Sequence, residues 1–94
     1  MSKLYNTRHH PKGPQPNATF EIRNGKVYTT EHHPDGKDPD PWYEVRENRL
    51  YPSDTHPQGA PKDSPWYEIR GTQVYSAGGH PHGAQPLPFF DLKD

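Results

Sequence analysis

A block of four residues that recurs four times limits this chain to a repeat architecture. Each copy reads aromatic, acidic, aliphatic, basic, and the copies are Phe20-Glu21-Ile22-Arg23, Tyr43-Glu44-Val45-Arg46, Tyr67-Glu68-Ile69-Arg70 and Phe90-Asp91-Leu92-Lys93. The aromatic positions 20, 43, 67 and 90 are 23, 24 and 23 residues apart. Self-similarity at so regular a period predicts four copies of one supersecondary unit.

A second block follows the same period. It joins an aliphatic residue to a tyrosine, and its copies are Leu4-Tyr5, Val27-Tyr28, Leu50-Tyr51 and Val74-Tyr75. Five residues after each tyrosine stands a histidine that is followed directly by proline; these are His10, His33, His56 and His80. A glycine comes three residues after each histidine. The His-Pro-x-Gly sequence predicts a type I turn, because proline is favoured at its second position and glycine at its fourth.

The phase of the repeat predicts how the chain closes. The chain opens with the second block and ends with the first, so residues 1–94 hold three intact units and a fourth that is split between the termini. An open array would instead carry distinct capping repeats. We therefore expect a single domain in which the last strand pairs with the first and leaves no sheet edge exposed.

Each unit is predicted to be a β-hairpin. Apolar and polar residues alternate on both sides of Asn24-Gly25, a strong turn signal because both positions tolerate positive φ. The equivalent turns are Glu47-Asn48, Gly71-Thr72 and the junction of Lys93-Asp94 with Met1-Ser2. This register sets Ile22 opposite Val27 and Leu92 opposite Leu4, and it gives each hairpin one apolar face for the core.

These features predict an all-β fold of four tandem hairpins, closed into a pseudo-fourfold ring like a miniature propeller. A small eight-stranded barrel is the alternative. The proline-rich segments between hairpins, such as residues 29–41, are expected to be ordered straps with polyproline-like stretches. No helix is expected.

Composition excludes several classes of protein. Only 27% of the 94 residues are hydrophobic and 13 are proline, so the chain cannot enclose the core of a large enzyme scaffold, and we expect neither enzymatic activity nor a cofactor. The lack of cysteine excludes disulfides and thiolate metal sites. Because 11 basic residues are interleaved with 12 acidic ones, we expect no nucleic-acid binding.

The sequence also argues against a membrane protein. No apolar run is long enough for a span, and the N-terminus does not read as a signal peptide. We expect no membrane contact and a cytoplasmic or virion-associated location.

The four repeated histidines are candidates for a metal site. If their loops converge on the ring axis, these imidazoles could ligate a divalent ion, with His9, His32 and His82 as further candidates. The simpler interpretation, which we favour, is that each histidine begins a turn and bonds to the local backbone. Either arrangement predicts sensitivity to pH, since histidine changes charge near about pH 6.5.

The second face of each hairpin carries glutamate, arginine and tyrosine. These side chains could form a network that laces neighbouring units, or an aromatic surface for a partner; the tryptophans could pack on the straps or serve as anchors. The residues that we expect to contact a partner are Trp42, Trp66, Tyr28, Tyr51, Tyr75, Arg23, Arg46 and Arg70.

The segments from Trp42 to Arg46 and from Trp66 to Arg70, each followed by an aliphatic-tyrosine pair and His-Pro-x-Gly, resemble units of small actinobacterial and actinophage tandem-repeat proteins. The resemblance covers nearly the whole chain but implies no activity and no site.

The function predicted from the sequence is that of a non-enzymatic interaction module. It would bind a protein partner, associate with itself or form part of an assembly such as a phage particle. A divalent-metal-binding protein with histidine ligands and a carbohydrate-binding module are the alternatives.

Overall fold

The computed structural model describes residues 2–59, 62–81 and 83–93 and is built from eight short strands. They are β1 (Ser2–Asn6), β2 (Phe20–Arg23), β3 (Lys26–Thr29), β4 (Tyr43–Arg46), β5 (Arg49–Pro52), β6 (Tyr67–Arg70), β7 (Gln73–Ser76) and β8 (Phe90–Lys93). Within these ranges there is no helix. The all-β prediction is confirmed.

The strands close into one antiparallel barrel in chain order, with β8 paired to β1. Leu4 lies opposite Leu92 as predicted. Neighbouring hairpins also pair edge to edge, as where Val27 faces Tyr43 across β3 and β4. The molecule is therefore a closed ring of four hairpins and equally an eight-stranded barrel, and its extents of 29 × 29 × 21 Å have the two equal dimensions of a ring.

The hairpin turns have the backbone geometry that their sequences predict. Asn24 and Gly25 have φ values of 52° and 76°, and Glu47 and Asn48 have 52° and 63°. Positive φ at both central positions matches the twist of the flanking strands. The predicted register follows in each of these hairpins. The fourth turn involves Asp94 and Met1, which lie outside the described residues.

The barrel interior consists of three layers with four side chains each. Four aromatic residues, one from each hairpin, lie at the end where the straps run: Phe20, Tyr43, Tyr67 and Phe90. The middle layer is almost fully buried and consists of Leu4, Val27, Leu50 and Val74. The layer near the hairpin tips is partly buried and consists of Ile22, Val45, Ile69 and Leu92. Strand alternation directs all twelve side chains to the same face of the sheet.

Three of the four straps are fixed to the one before by a hydroxyl group. The hydroxyls of Thr7, Thr30 and Ser53 donate hydrogen bonds to the carbonyls of Pro88, Ala18 and Pro41, with donor–acceptor distances of 2.6, 2.5 and 2.5 Å. At the fourth equivalent position Ala77 has no hydroxyl, and the backbone N–H of Gly79 bonds to the Pro65 carbonyl instead. These bonds hold the straps over one end of the barrel, which is called the axial end below.

As regards membranes, the described part of the chain contains no helix with the length and apolar character that a bilayer crossing requires.

Candidate binding site

The axial end of the barrel is closed by four aromatic rings in mutual contact, called the inner tetrad. Its members are Phe20, Tyr43, Tyr67 and Phe90, and successive ring centroids are 6.0, 5.6, 5.4 and 5.7 Å apart around the cycle. All four contacts are edge-to-face, the arrangement favoured by the ring quadrupoles. The tetrad forms an aromatic floor across the barrel axis.

A second ring of side chains surrounds this floor and is called the outer ring. The members alternate between the repeated histidines and the residues that precede the tetrad: His10, Thr19, His33, Trp42, His56, Trp66, His80 and Phe89. Trp42, for example, lies between His33 and His56 with centroid distances of 4.7 and 5.8 Å. Seven of the eight members are aromatic, and Thr19 is the exception.

The His-Pro-x-Gly turns direct the histidine rings towards the barrel axis. In each turn the glycine N–H donates to the histidine carbonyl, and the four N···O distances lie between 2.8 and 3.1 Å. The glycines have positive φ, which explains why this residue is needed at the end of the turn. Each histidine ring then stacks against the tetrad member of its own unit; the centroids of His33 and Phe20 are 5.1 Å apart.

The imidazole Nδ1 atoms are occupied by the backbone. Nδ1 of His10, His33 and His56 accepts a hydrogen bond from the N–H of Lys12, Asp35 and Gln58, at 3.1, 3.0 and 3.2 Å. A neutral imidazole that accepts at Nδ1 carries its proton at Nε2, so the network assigns this tautomer. The simpler of the two predictions for these histidines, local bonding in a turn, is confirmed for these three residues.

Burial keeps these histidines neutral. It is the main cause that lowers the pKa of His10 to about 4, and the charges of Lys12 and His33 contribute to the same shift. Burial is also the main cause that lowers the pKa of His33, where Asp35 opposes it and Lys12 adds to it, and of His56. At neutral pH the axial end therefore presents imidazole groups that donate through Nε2.

The tyrosines of the tetrad are hydrogen-bonded and stay protonated. Nε2 of His56 lies 3.3 Å from the Tyr43 hydroxyl, and Nε2 of His80 lies 3.1 Å from the Tyr67 hydroxyl. Burial raises the pKa of both phenols.

Among the residues that the structure describes, the candidate metal ligands do not come together. Across the described ranges, no group of three or more histidine, aspartate or glutamate side chains is placed to hold a metal ion. His9 and His32 lie in the straps outside the outer ring, and His82 lies outside the described residues.

A cavity of about 350 Å³ lies over the inner tetrad and opens to solvent between the turns. Its walls include Trp42, Trp66 and three of the repeated histidines, and its rim includes Lys12 and Gln58. This volume is at the lower end of the range for small-molecule pockets. The cavity can therefore hold one large side chain or a compact ligand.

The outer face of the barrel carries a repeated stack of arginine on tyrosine. The guanidinium carbon lies 4.1, 4.0 and 4.6 Å from the tyrosine ring centre in the pairs Arg23–Tyr28, Arg46–Tyr51 and Arg70–Tyr75. Lys93 lies 5.2 Å from the ring centre of Tyr5 in the equivalent position. Each of these contacts joins two strands of the same hairpin unit, so the stacking does not lace neighbouring units as the sequence interpretation proposed. Arg49 and Glu68, 4.0 Å apart, do connect two units.

Two glutamates on the outer face lie close to these arginines. Arg70 Nε donates to Glu68 Oε1 at 3.0 Å. Arg23 Nε lies equally close to Glu21 Oε1, but it is not aligned for a hydrogen bond. Arg46 instead donates to the Lys62 carbonyl. Most of the polar groups on this face are thus engaged within the chain.

The eight residues predicted to contact a partner do not form one surface. The six arginines and tyrosines lie on the outer face, whereas Trp42 and Trp66 lie in the outer ring and are each only 8% exposed. A strap covers Trp42, and its indole Nε1 bonds to Asp38 of that strap at 3.3 Å. Sequence reasoning did not select Lys12, Thr19 or Gln58, although Thr19 breaks the aromatic pattern of its repeat position.

Comparison with models of protein families, with curated proteins and with solved structures finds no match to this chain.

Proposed function

We propose that this chain is a non-enzymatic interaction module that binds a protein partner at its axial end. The observation that carries the proposal is the open cavity of about 350 Å³, walled by tryptophan and histidine over an aromatic floor. Tryptophan and tyrosine in a well-packed pocket are typical anchors of protein interfaces. All four units of the repeat contribute residues to this pocket.

The chemistry of the lining favours binding over catalysis. Of the described residues that line the cavity, none is an aspartate, glutamate, serine or cysteine. Nδ1 of His10 and His33 accepts from the backbone and Nε2 carries the proton. A neutral imidazole in this state has no free lone pair with which to act as a general base.

The outer face is the second candidate surface for the partner. Its arginines and tyrosines remain predicted contact residues, but they stack on one another, and exposed pairs of this kind contribute little to recognition unless a partner covers them. Binding in the axial cavity would not require these stacked pairs to separate.

The test compares charge reversals at the two ends of the barrel. Lys12→Glu changes the cavity rim, and Lys26→Glu is the matched control at a hairpin tip. Tagged protein is purified from its host, the co-purifying protein is identified, and its binding is remeasured with purified components. Trp42 and Trp66, the only tryptophans in the chain, report occupancy of the cavity by fluorescence.

We expect the partner to be lost with Lys12→Glu and retained with Lys26→Glu. Loss with Arg46→Ala or Arg70→Ala while Lys12→Glu still binds would move the interface to the outer face and overturn the axial assignment. A tryptophan signal that responds to glycans and to no protein would overturn the proposed class of partner.

A further inference from the structure

The fourfold pattern at the axial end is incomplete, and two histidine Nε2–H donors there have no hydrogen-bond partner among the described residues. In two units the histidine meets a tyrosine hydroxyl, as His56 meets Tyr43 and His80 meets Tyr67. In the other two units the tetrad residue is phenylalanine, which has no oxygen. His33 and His10 are the histidines of these units.

Repeat equivalence fixes the direction of these two donors. The ring of His33 lies 5.1 Å from that of Phe20, and His10 lies 5.1 Å from Phe90, close to the 5.0 Å between His56 and Tyr43. All three histidines accept at Nδ1 from the residue two positions later. Their Nε2–H groups therefore point towards equivalent places at the centre of the axial end. Neither His10 nor His33 has a hydrogen-bond partner at Nε2 among the described residues.

Both histidines border the cavity, with Thr19 between them. Thr19 stands between these two units where the other units have tryptophan or phenylalanine, and its smaller side chain bonds to Asn6 at 2.7 Å. Thr19, His10 and His33 all line the cavity. The two donors are therefore accessible to a ligand.

The charged and polar groups that line the cavity favour a negatively charged ligand. Lys12 is the only charged side chain among the described residues that line it. Two N–H donors and one ammonium group, with no carboxylate among the described lining residues, favour an anion; Asp35, whose charge reaches His33 from outside the lining, opposes this in part. Bonds from such donors to a carboxylate are stronger than those to a neutral acceptor. The phenylalanine floor favours an apolar body on the same ligand.

We propose that the axial cavity binds a carboxylate carried on an apolar or aromatic body, with the carboxylate at Nε2 of His10 and His33 and the body against Phe20 and Phe90. This inference rests on the proposed function, since the protein partner would present the group as an acidic side chain beside an apolar one or as its C-terminus. It specifies that the partner must present a carboxylate next to an apolar or aromatic group.

The first experiment titrates the intact chain with phenylacetate and with phenylacetamide, which has the same body without the charge. Binding is followed by tryptophan fluorescence and by NMR chemical shifts of the histidine rings. We expect phenylacetate to bind with a dissociation constant of about millimolar, as suits so small a ligand. We expect the amide to bind about tenfold more weakly. Equal binding of the two, or binding of neither, would overturn the proposal.

The second experiment supplies the missing oxygens from the protein. In the double variant Phe20→Tyr and Phe90→Tyr, each new hydroxyl lies where Tyr43 and Tyr67 have theirs and can accept from His33 or His10. We expect phenylacetate binding to fall about tenfold or more. Lys26→Glu is the control that should bind as the parent does. Unchanged affinity in the double variant would contradict the assignment of the donors, and each single variant gives the same test should the double variant fold poorly.

The two proposals fail in different ways. If Lys12→Glu abolishes the protein partner but phenylacetate does not bind the parent chain, the carboxylate inference falls and the interaction module stands. If phenylacetate binds as expected and no protein partner depends on Lys12, the cavity takes a free carboxylate compound and the proposed protein partner falls. Peptides with a free and with an amidated C-terminus distinguish a terminal carboxylate from an acidic side chain.

Discussion

The chemistry of the axial end comes from the residues that break the repeat. Four identical units would give four identical histidines, each with the same partner. Two tetrad positions hold tyrosine and two hold phenylalanine. The histidines beside the tyrosines bond to their hydroxyls, and those beside the phenylalanines have no Nε2 partner in the described part of the chain. Thr19 lies beside the second pair of histidines in the outer ring, where the other units have an aromatic residue, and it lines the cavity. The presence or absence of the tetrad hydroxyl in a unit thus determines whether the histidine of that unit is bonded at Nε2.

The importance of these hydroxyls to stability can be measured with Tyr43→Phe. The change removes the partner of His56 Nε2, and His56 is only 5% exposed, so a buried donor is left unsatisfied. We expect the free energy of unfolding to fall by about 1–3 kcal/mol. Chemical denaturation gives this value.

Tyr51→Phe is the matched control for that substitution. Its hydroxyl makes no hydrogen bond within the described part of the chain, and its ring keeps the stack with Arg46. We expect a change near zero. Equal losses in the two variants would contradict the assigned bond.

The partly buried His10 and His33 and the buried His56 predict that the fold weakens in mild acid. The native pKa of His10 is about 4, and those of His33 and His56 are also lowered from the usual 6.5. Between these values the unfolded chain binds protons that the native chain does not, so stability is lost as the pH falls below about 6.5. Melting temperatures measured from pH 7.5 to pH 5 should therefore decrease by several degrees.

A His10→Gln variant isolates one contribution to this pH dependence. Its melting temperature should decrease less steeply over the same range than that of the parent. A parent melting temperature that is constant from pH 7.5 to pH 5 would show that the histidines are not buried as described.

Turns and straps are the elements that carry the functional residues. The strands are only four or five residues long, and their interior faces fill the barrel, so the axial end is built from the segments between hairpins. The His-Pro-x-Gly turn presents a histidine at its start and requires a glycine with positive φ at its end. The hydroxyl bonds between successive straps fix the position of this turn.

The role of the turn glycine is tested by Gly36→Ala. A Cβ at this position would meet nothing within 4 Å, so its cost comes from the φ of +79° alone. We expect a loss of about 1 kcal/mol in the free energy of unfolding, measured by chemical denaturation.

Two other glycines provide comparison variants for Gly36→Ala. Gly78 is equally open but has no positive φ, so Gly78→Ala should be close to neutral. A Cβ on Gly79 would lie 2.6 Å from the Pro65 carbonyl oxygen, so Gly79→Ala should cost more than either. If Gly36→Ala and Gly78→Ala have the same effect, the strained backbone of the turn is wrongly assigned.

At the scale of the whole molecule, the sequence predicts the barrel but not the cavity. The period gives the number of hairpins, Asn24-Gly25 gives the turn and hence the register, and the split repeat gives the pairing of β1 with β8. These features are local or periodic, so they can be read from one sequence. The twelve interior side chains follow from strand alternation in the same way.

The axial end was less predictable because it depends on the path of the straps. Strand alternation places Trp42 on the face opposite Tyr43, yet the strap that precedes it folds over the indole and its Asp38 binds Nε1. The proline-rich straps lack the hydrophobic periodicity from which the faces of a strand are predicted. The position of the tryptophans beside the histidines therefore could not be predicted from the sequence. The differences within the repeat, Thr19 and the two phenylalanines of the tetrad, were the available signal.

Every assignment above depends on the closure of the ring, which NMR of an isotope-labelled sample measures directly. Leu4 lies opposite Leu92 and Tyr5 opposite Asp91, so we predict nuclear Overhauser cross-peaks between the backbone protons of β1 and β8. A mixture of labelled and unlabelled protein should show that these contacts arise within one chain. Cross-peaks that are absent, or that connect only different molecules, would contradict the closed barrel and the axial site built on it.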